Sequence, residues 1–511
     1  MLANPSGLDY LGDTLENPIH GGSLSTHALG LLSLQRSHTM HVLFILSQFL
    51  TVHAEPSRKS KFGVGLHQGC PAAWPTVSMA ILLLLAGRLS ADESWPQFRG
   101  PQGDGHADSN SLPLEWSEQT NIAWKSPVPG SGHSSPVVAN GQVWLTTAIS
   151  QSLSAEAVQA RLAQAKNPKE LQVVGELSLR ALAYDLESGK LLQEVVLFQP
   201  AQPEPIHHTN TYASPTPVIH NGRVFCHFGT YGTAAIDAAT GNVLWRADTL
   251  HVDHQNGPGS SPIVWNDLLI IHYDGIDEQY LAALNTENGQ VVWRTDRTGV
   301  MDPKPEFQKA YCTPTLVYTE RGPELISPAA NWVYGYHPAT GSELWKATYG
   351  DLGFSTVPKP VVGNGLAYVC TSFARSRLLA VRYGGQGDVT DSHIAWTADS
   401  QIPKKPSLML VGNDLFVAND TGIVTCFDAL SGEELWRDRI GGNYSASPIF
   451  ANGLIYFFSE DGRATIVRAA REFEIVAVNE LGSGFNASPA VVGDSLVVRS
   501  HSDLYRIQQS R

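Results

Sequence analysis

Two short patterns of apolar and polar positions alternate along most of the chain. In the first, a polar residue opens a turn, Thr-Gly or a close variant follows, and an apolar alternation ends in Trp. It reads AIDAATGNVLWRAD over 235–248 and CFDALSGEELWRDR over 426–439. Further copies are ALNTENGQVVWRT (283–295) and GYHPATGSELWKA (335–347). AVRYGGQGDVTDSHIAWTA (380–398) is stretched by an insertion, and AYDLESGKLLQEV (183–195) carries Gln193 in place of Trp. Each copy predicts strand, tight turn, strand. The polar opener bonds local backbone, Gly accepts positive φ, and the period-two alternation suits a half-buried strand.

The second pattern is Ser/Thr-Pro, a few apolar residues, a turn pair such as Asn-Gly, and another apolar run. Copies include SSPVVANGQVWL (134–145), PTPVIHNGRVFC (215–226), SSPIVWNDLLII (260–271), PKPVVGNGLAYV (358–369), ASPIFANGLIYF (446–457) and ASPAVVGDSLVV (487–498). The turn pairs begin at 140, 221, 266, 321, 364, 413, 452 and 493. A repeat of this length means a propeller or a solenoid. Two hairpins per unit make a four-stranded antiparallel sheet, which cannot bury both faces alone, so the sheets must stack around an axis. The predicted fold is therefore all-β, an eight-bladed β-propeller, with seven blades the alternative if 463–478 is irregular. The last unit has room for three strands only, and NIAWKSPV (121–128) supplies the fourth, closing the ring. The recurring Trp124, Trp245, Trp293, Trp345, Trp396 and Trp436 are predicted to dock neighbouring blades, because a large rigid ring buries much area with few rotamers.

This topology sorts the loops. The Asn-Gly and Thr-Gly turns share one face of the disc. All long segments lie on the other: the insertion 150–178, with a short helix capped by Ser154 and stopped by Pro168, and the stretches 198–213, 248–260 and 295–311. Varied loops on a rigid scaffold are where binding usually resides.

Composition narrows the function. A net charge of −14 with no Lys/Arg-rich run argues against nucleic acid, whose recognition rests on neutralising phosphates. Five separated cysteines (Cys70, Cys226, Cys312, Cys370, Cys426) show no C-x-x-C, no haem-attachment spacing and no adjacent pair. Residues 1–91 differ from the rest: the apolar runs VLFILSQFL (42–50) and AILLLLAG (80–87) are signal-peptide sized rather than membrane spans, with a cleavage zone near Ala91. Arg88, not Cys, follows Gly87, so no lipid-anchoring motif is present there. The reading is an N-terminal extension and signal peptide over 1–91, a propeller over 92–511, and a periplasmic or secreted monomer.

The Asp-x-x-Thr-Gly-x-x-x-Trp repeat, the Ser-Pro-Val-x-x-Asn-Gly repeat and the entry WPQFRGPQGDG (95–105) together resemble the PQQ-like (quinoprotein-type) β-propeller repeat family over about 95–511. That resemblance implies one of two roles. One branch comprises alcohol and sugar dehydrogenases carrying pyrroloquinoline quinone with calcium; the other is an eight-bladed outer-membrane protein assembly lipoprotein without cofactor. The dehydrogenase branch typically has adjacent cysteines near the quinone, which this sequence lacks, and its ligand set finds no residue-by-residue match here.

Candidate chemistry concentrates on the loop-rich face. His207, His208, Asn210, Tyr212, His251, Asp253 and His254 cluster in two loops, with Asp274, Lys309 and Tyr311 near in the blade scheme. HVDH (251–254) has the residue types of a metal site but no fixed ligand spacing, so no metal is assigned. His133 precedes a Ser-Pro strand start, close to the mouth of the axial channel. The predicted ligand-binding set is His133, His208, Asn210, Tyr212, His254, Asp274, Lys309 and Tyr311. No catalytic residue is assigned, since G-x-S-x-G, P-loop and H-E-x-x-H motifs are absent. The predicted function is a non-catalytic exported platform for a protein, another macromolecule or a ligand, with no cofactor. The alternative is a quinone-dependent oxidoreductase of alcohols or sugars.

Overall fold

Val137–Ala139, Gln142–Ser150, Leu177–Asp185 and Leu191–Phe198 pair in chain order as one antiparallel sheet. The same order recurs over 218–247, 263–296, 315–348, 361–398, 409–439 and 449–480. These are blades 1–7 of a computed structural model that describes residues 94–510 apart from 166–167, 351 and 374. The apolar runs, the cleavage zone and Cys70 fall outside the described residues. Blade 8 takes three strands from 490–508 and its fourth from Ile122–Pro127, which runs antiparallel to Asp503–Gln508 with Trp124 opposite Arg506. The fold is an eight-bladed β-propeller closed by the early strand. The stretch predicted as the source of a seven-bladed alternative forms two regular strands, Arg463–Arg468 and Ile475–Glu480.

The two repeats translate directly into geometry. At Asn140-Gly141, Asn221-Gly222, Asn364-Gly365 and Asn452-Gly453 both residues have positive φ, the type I′ signature that matches strand twist. In the second hairpin, Asp185, Asp237 and Asp428 each accept the amide of the residue three positions on, at 2.8, 2.8 and 3.1 Å. The Gly of that turn leaves room for the Trp of the preceding blade. A Cβ on Gly189, Gly289, Gly341 or Gly432 would fall within 2.5–2.6 Å of Trp124, Trp245, Trp293 or Trp396. Each indole then donates to the carbonyl one residue past the turn opener: Trp124 to Leu186 (2.8 Å), Trp245 to Thr286 (3.0 Å), Trp293 to Pro338 (3.1 Å) and Trp396 to Ala429 (3.0 Å). Trp436 reaches Ala470 in the same way (2.9 Å), and Gln193 reaches Ala238 (3.4 Å).

Trp345 differs. The insertion after blade 5's third strand adds Gly387–Asp388 in parallel to the outer edge of blade 4, pairing with Trp345 and Lys346. The usual turn is therefore missing, and the Trp345 indole bonds Glu324 of its own blade at 3.0 Å. In blade 7 the equivalent register position is Ala477, and Trp116 from the leading segment packs into that cluster, stacked on Phe458. The insertion helix spans Ala155–Leu162 with Ser154 as its cap. It ends before Pro168, which instead opens a short 3-10 turn, Pro168–Glu170.

Candidate functional site

The inner strand of each blade begins at a Ser/Thr-Pro step or its equivalent, and these steps form a belt around the axis. Ser135 N–H donates to Thr216 Oγ1, Thr216 to Ser261, and Ser261 to Thr313, each at 3.0 Å. Lys359 donates to Ser407 and Ser407 to Ser447 (both 3.0 Å), Ser447 to Ser488 (2.9 Å), and Ser488 back to Ser135 (3.1 Å). Neighbouring inner strands diverge too much to share a ladder, so a hydroxyl from the next blade satisfies each buried amide. The belt breaks only after Thr313, because Lys359 has no acceptor to offer.

Below the belt the channel is filled by the entry segment 95–107. Trp95 forms a backbone bridge with Val138 of blade 1, and Ile219 of blade 2 donates to Pro96 O at 2.7 Å. Arg99 reaches Leu408 O and His106 reaches Leu410 O in blade 6, both at 2.7 Å, and Ala107 pairs with Phe450 of blade 7. Lys359 of blade 5 donates to Gly103 O at 2.7 Å. Gly103 has φ +69°, and a Cβ there would lie 2.2 Å from the Lys359 ammonium, so both backbone and contact favour glycine. Phe98 rises from this plug into a 120 Å³ void within the belt. Burial pushes Arg99 down to about 10 and Lys359 down to about 7.

Above the belt opens a cavity of about 480 Å³, and every connection between consecutive blades contributes to its wall. Asn210 and Ser214 come from the 1–2 connection, Asn256 and Gly259 from 2–3, Phe307, Lys309 and Tyr311 from 3–4, and Phe354 and Val357 from 4–5. Lys405, Ser445 and Asn486 come from the next three, while Glu170, Phe373 and Glu460 come from loops within blades. His133 stands at the base, pushed down to about 3 by burial and by nearby Arg499, and is therefore neutral at physiological pH. Burial alone would raise Glu460, but its bonds to Lys405 (2.8 Å) and Ser445 outweigh this and hold it below the usual carboxylate range. Phe307 and Phe354 lie 4.6 Å apart, and the Lys309 ammonium, brought down to about 8 by burial, sits over Phe354. The wall is thus aromatic on one side and amide-rich or charged on the other.

Of the predicted ligand-binding set, His133, Asn210, Lys309 and Tyr311 line this cavity. His208 is exposed beside His207. The other three are enclosed in loop packing. Tyr212 donates to Glu204 O at 2.7 Å. His254 is buried with neither ring nitrogen bonded, and its carbonyl accepts from Tyr311 at 2.6 Å. Asp274 is fully buried and gripped by both arms of Arg297 at 3.0 and 2.8 Å, so its charge is already matched. Asn210 is also structural: its amide bonds Asn256 O and Pro258 O, tying one connection to the next. Sequence reasoning missed Phe307, Phe354, Phe373, Lys405, Glu460 and Asn486, which carry no shared motif. It found the Ser/Thr-Pro repeat but not the belt its hydroxyls make.

The model of the family described as outer membrane protein assembly factor BamB matches residues 114–295 and 329–502, more than half of the chain. The chain belongs to this family. It is 22% identical over 303 residues to the outer membrane protein assembly factor BamB of Shewanella oneidensis, covering 56% of this chain and 72% of that one. It is 23% identical over 258 residues to the tetrathionate hydrolase of Acidithiobacillus ferrooxidans, 47% of this chain and 48% of that protein, so it spans about half that relative's length. Among solved structures, a europium-containing methanol dehydrogenase superposes with a TM-score of 0.56 at 13% identity, over 80% of this chain and 90% of its own. That likeness is one of fold.

Calcium takes about six to eight oxygen ligands. Among the described residues a single trio of acidic, imidazole or thiol groups converges, Glu170, His207 and His208, and it is imidazole-rich. Glu460 is already neutralised, and the described cysteines are buried, separate thiols. The trio of Glu170, His207 and His208 is not the oxygen-only set that calcium favours. Among the described residues no helix is long and apolar enough to cross a membrane.

Proposed function

We propose that the protein is a non-catalytic exported platform, periplasmic or secreted, that holds an extended protein segment in the mouth of its axial channel. The observation that carries this reading is the closed-bottomed cavity of about 480 Å³, with aromatic anchors facing amides and paired charges. A segment entering it meets Phe307, Phe354, Phe373 and Tyr311 for apolar side chains, and Asn256 and Asn486 for its backbone. Hot spots of protein recognition have this form, rigid aromatics within a polar rim. The plug and belt shut the far end, so the site receives a chain or loop and does not conduct one. Membership of the assembly-factor family supports the same role.

The test pairs two measurements on the purified protein. Binding to an array of extended peptides is expected to weaken at least about tenfold in a Phe307→Ala, Phe354→Ala double variant whose thermal unfolding is unchanged, as expected for loss of aromatic anchors. Incubation with pyrroloquinoline quinone and calcium is expected to leave the melting temperature unmoved. A stabilising shift with dye reduction by alcohols or sugars, or peptide binding indifferent to the double variant, overturns the proposal.

A further inference from the structure

We infer that Glu170, His207 and His208 form a zinc-class transition-metal site on the wall of the mouth cavity. The place is built by a two-residue ladder. Leu171–Gln172 pairs antiparallel with Ile206–His207, and His208 N–H donates to Glu170 O at 2.9 Å. This register brings the carboxylate beside both imidazoles although Glu170 and His208 are 38 residues apart in sequence. Glu170 Oε2 lies 3.6 Å from His207 Nε2 and 3.7 Å from His208 Nδ1, which here donates to Glu170 O at 3.0 Å and must turn from that carbonyl to coordinate an ion. All three donor atoms fall within 4.8 Å of one another.

Tetrahedral zinc with donors at about 2.0–2.1 Å holds them about 3.3–3.4 Å apart. The two carboxylate–imidazole distances need to shorten by about 0.3 Å and the imidazole–imidazole distance, which is within 4.8 Å, by up to about 1.4 Å, which rotation of the side chains supplies. The side chains are free to make it, being 59%, 30% and 53% exposed for Glu170, His207 and His208. His207 Nδ1 lies 2.8 Å from Thr209 Oγ1. Thr209 N–H approaches the same nitrogen at 3.3 Å, so coordination through Nε2 calls for the tautomer in which Nδ1 donates to the hydroxyl, the outer support that metal-bound histidines usually have. The two rings stack with centroids 4.6 Å apart.

Two imidazoles and one carboxylate suit Zn²⁺, Ni²⁺ or Cu²⁺, whereas Mg²⁺ and Ca²⁺ favour oxygen-only sets. Three protein donors leave a fourth position open. Since Glu170 and His207 both line the cavity, that position faces its interior and is available to a carboxylate or imidazole entering there. The residues of metal-site type at 251–254, to which no metal is assigned, do not converge. His254 is buried elsewhere, and the His251 ring is turned to Thr230 O at 3.1 Å. The inference stands independently of the platform reading.

The test is calorimetric titration of the purified protein with Zn²⁺ and, separately, with Ca²⁺ in a non-chelating buffer near neutral pH. The expected result is one zinc equivalent, at least about tenfold weaker in Glu170→Gln and in each of His207→Ala and His208→Ala, and lost in the double histidine variant, with no calcium heat. Co²⁺ should give visible d–d bands with the natural protein and none with the double variant. Circular dichroism melts verify that the variants fold, which the exposure of these side chains predicts. Zinc affinity and stoichiometry unchanged in the folded double variant, or no saturable zinc binding to the natural protein, overturns the site.

Discussion

Lys359 occupies the position where the other seven blades place Ser or Thr, it is 3% exposed, and its ammonium has one hydrogen-bond partner, Gly103 O. Burial, with Arg99 nearby, brings its pKa from 10.5 down to about 7. The folded chain thus holds this proton less tightly than the unfolded chain, so stability rises with pH between about 7 and 10.5 and the penalty is complete below that window. At 1.36 kcal/mol per pH unit the interval corresponds to about 5 kcal/mol. Lys359→Ser removes that penalty and offers Thr313 N–H the acceptor it lacks. It also forfeits the charged bond to Gly103, about 1.5–3 kcal/mol. The serine also leaves the volume of the buried lysine stem empty, a cost that does not change with pH. The expected observable is therefore the pH dependence: the variant gains on the natural protein by about 3 kcal/mol between pH 9.5, where about 1 kcal/mol of the penalty remains, and pH 6. Urea unfolding of both proteins at pH 6, 8 and 9.5, followed by Trp fluorescence, measures this; the difference between them cancels the other titrating groups. Lys359→Met, which keeps the volume, isolates the charge. A difference between the two proteins that does not change with pH, or a variant advantage that grows as pH rises, refutes the reasoning.

Two further perturbations follow from the same geometry. Ser447→Ala deprives the buried Ser407 amide of its acceptor and should cost about 1–3 kcal/mol, read as a lower urea midpoint at unchanged slope. Asp274→Ala strands the Arg297 guanidinium in a fully buried site and should cost about 3–5 kcal/mol, visible as a large fall in melting temperature that Arg297→Ala does not add to in full.

The sequence by itself determined the blades and the closure of the ring, and left their number at eight or seven until the strands over 463–480 proved regular. Hairpin pairing is local: Asn-Gly turns, Asp-x-x-Thr-Gly turns and period-two alternation each act within a dozen residues. The displaced Trp124 announced that the ring closes through an early strand. The contact that each docking Trp makes with the next blade also recurs with the repeat, except where the insertion before Trp396 removed the turn that Trp345 would have used. Tertiary structure alone decided the axis. The mouth collects one or two residues from each connection, so Phe307, Phe354, Lys405 and Asn486 meet without any sequence proximity. Asp274 reads as one more acid of the loop-rich face, yet it sits opposite Arg297 and is swallowed by the core. Glu170 and His207 converge because a two-residue ladder folds the insertion back over the rim. Local periodicity dictates which way a strand faces, whereas a site at the centre of a ring depends on where eight separate connections end, and only the closed fold sets that.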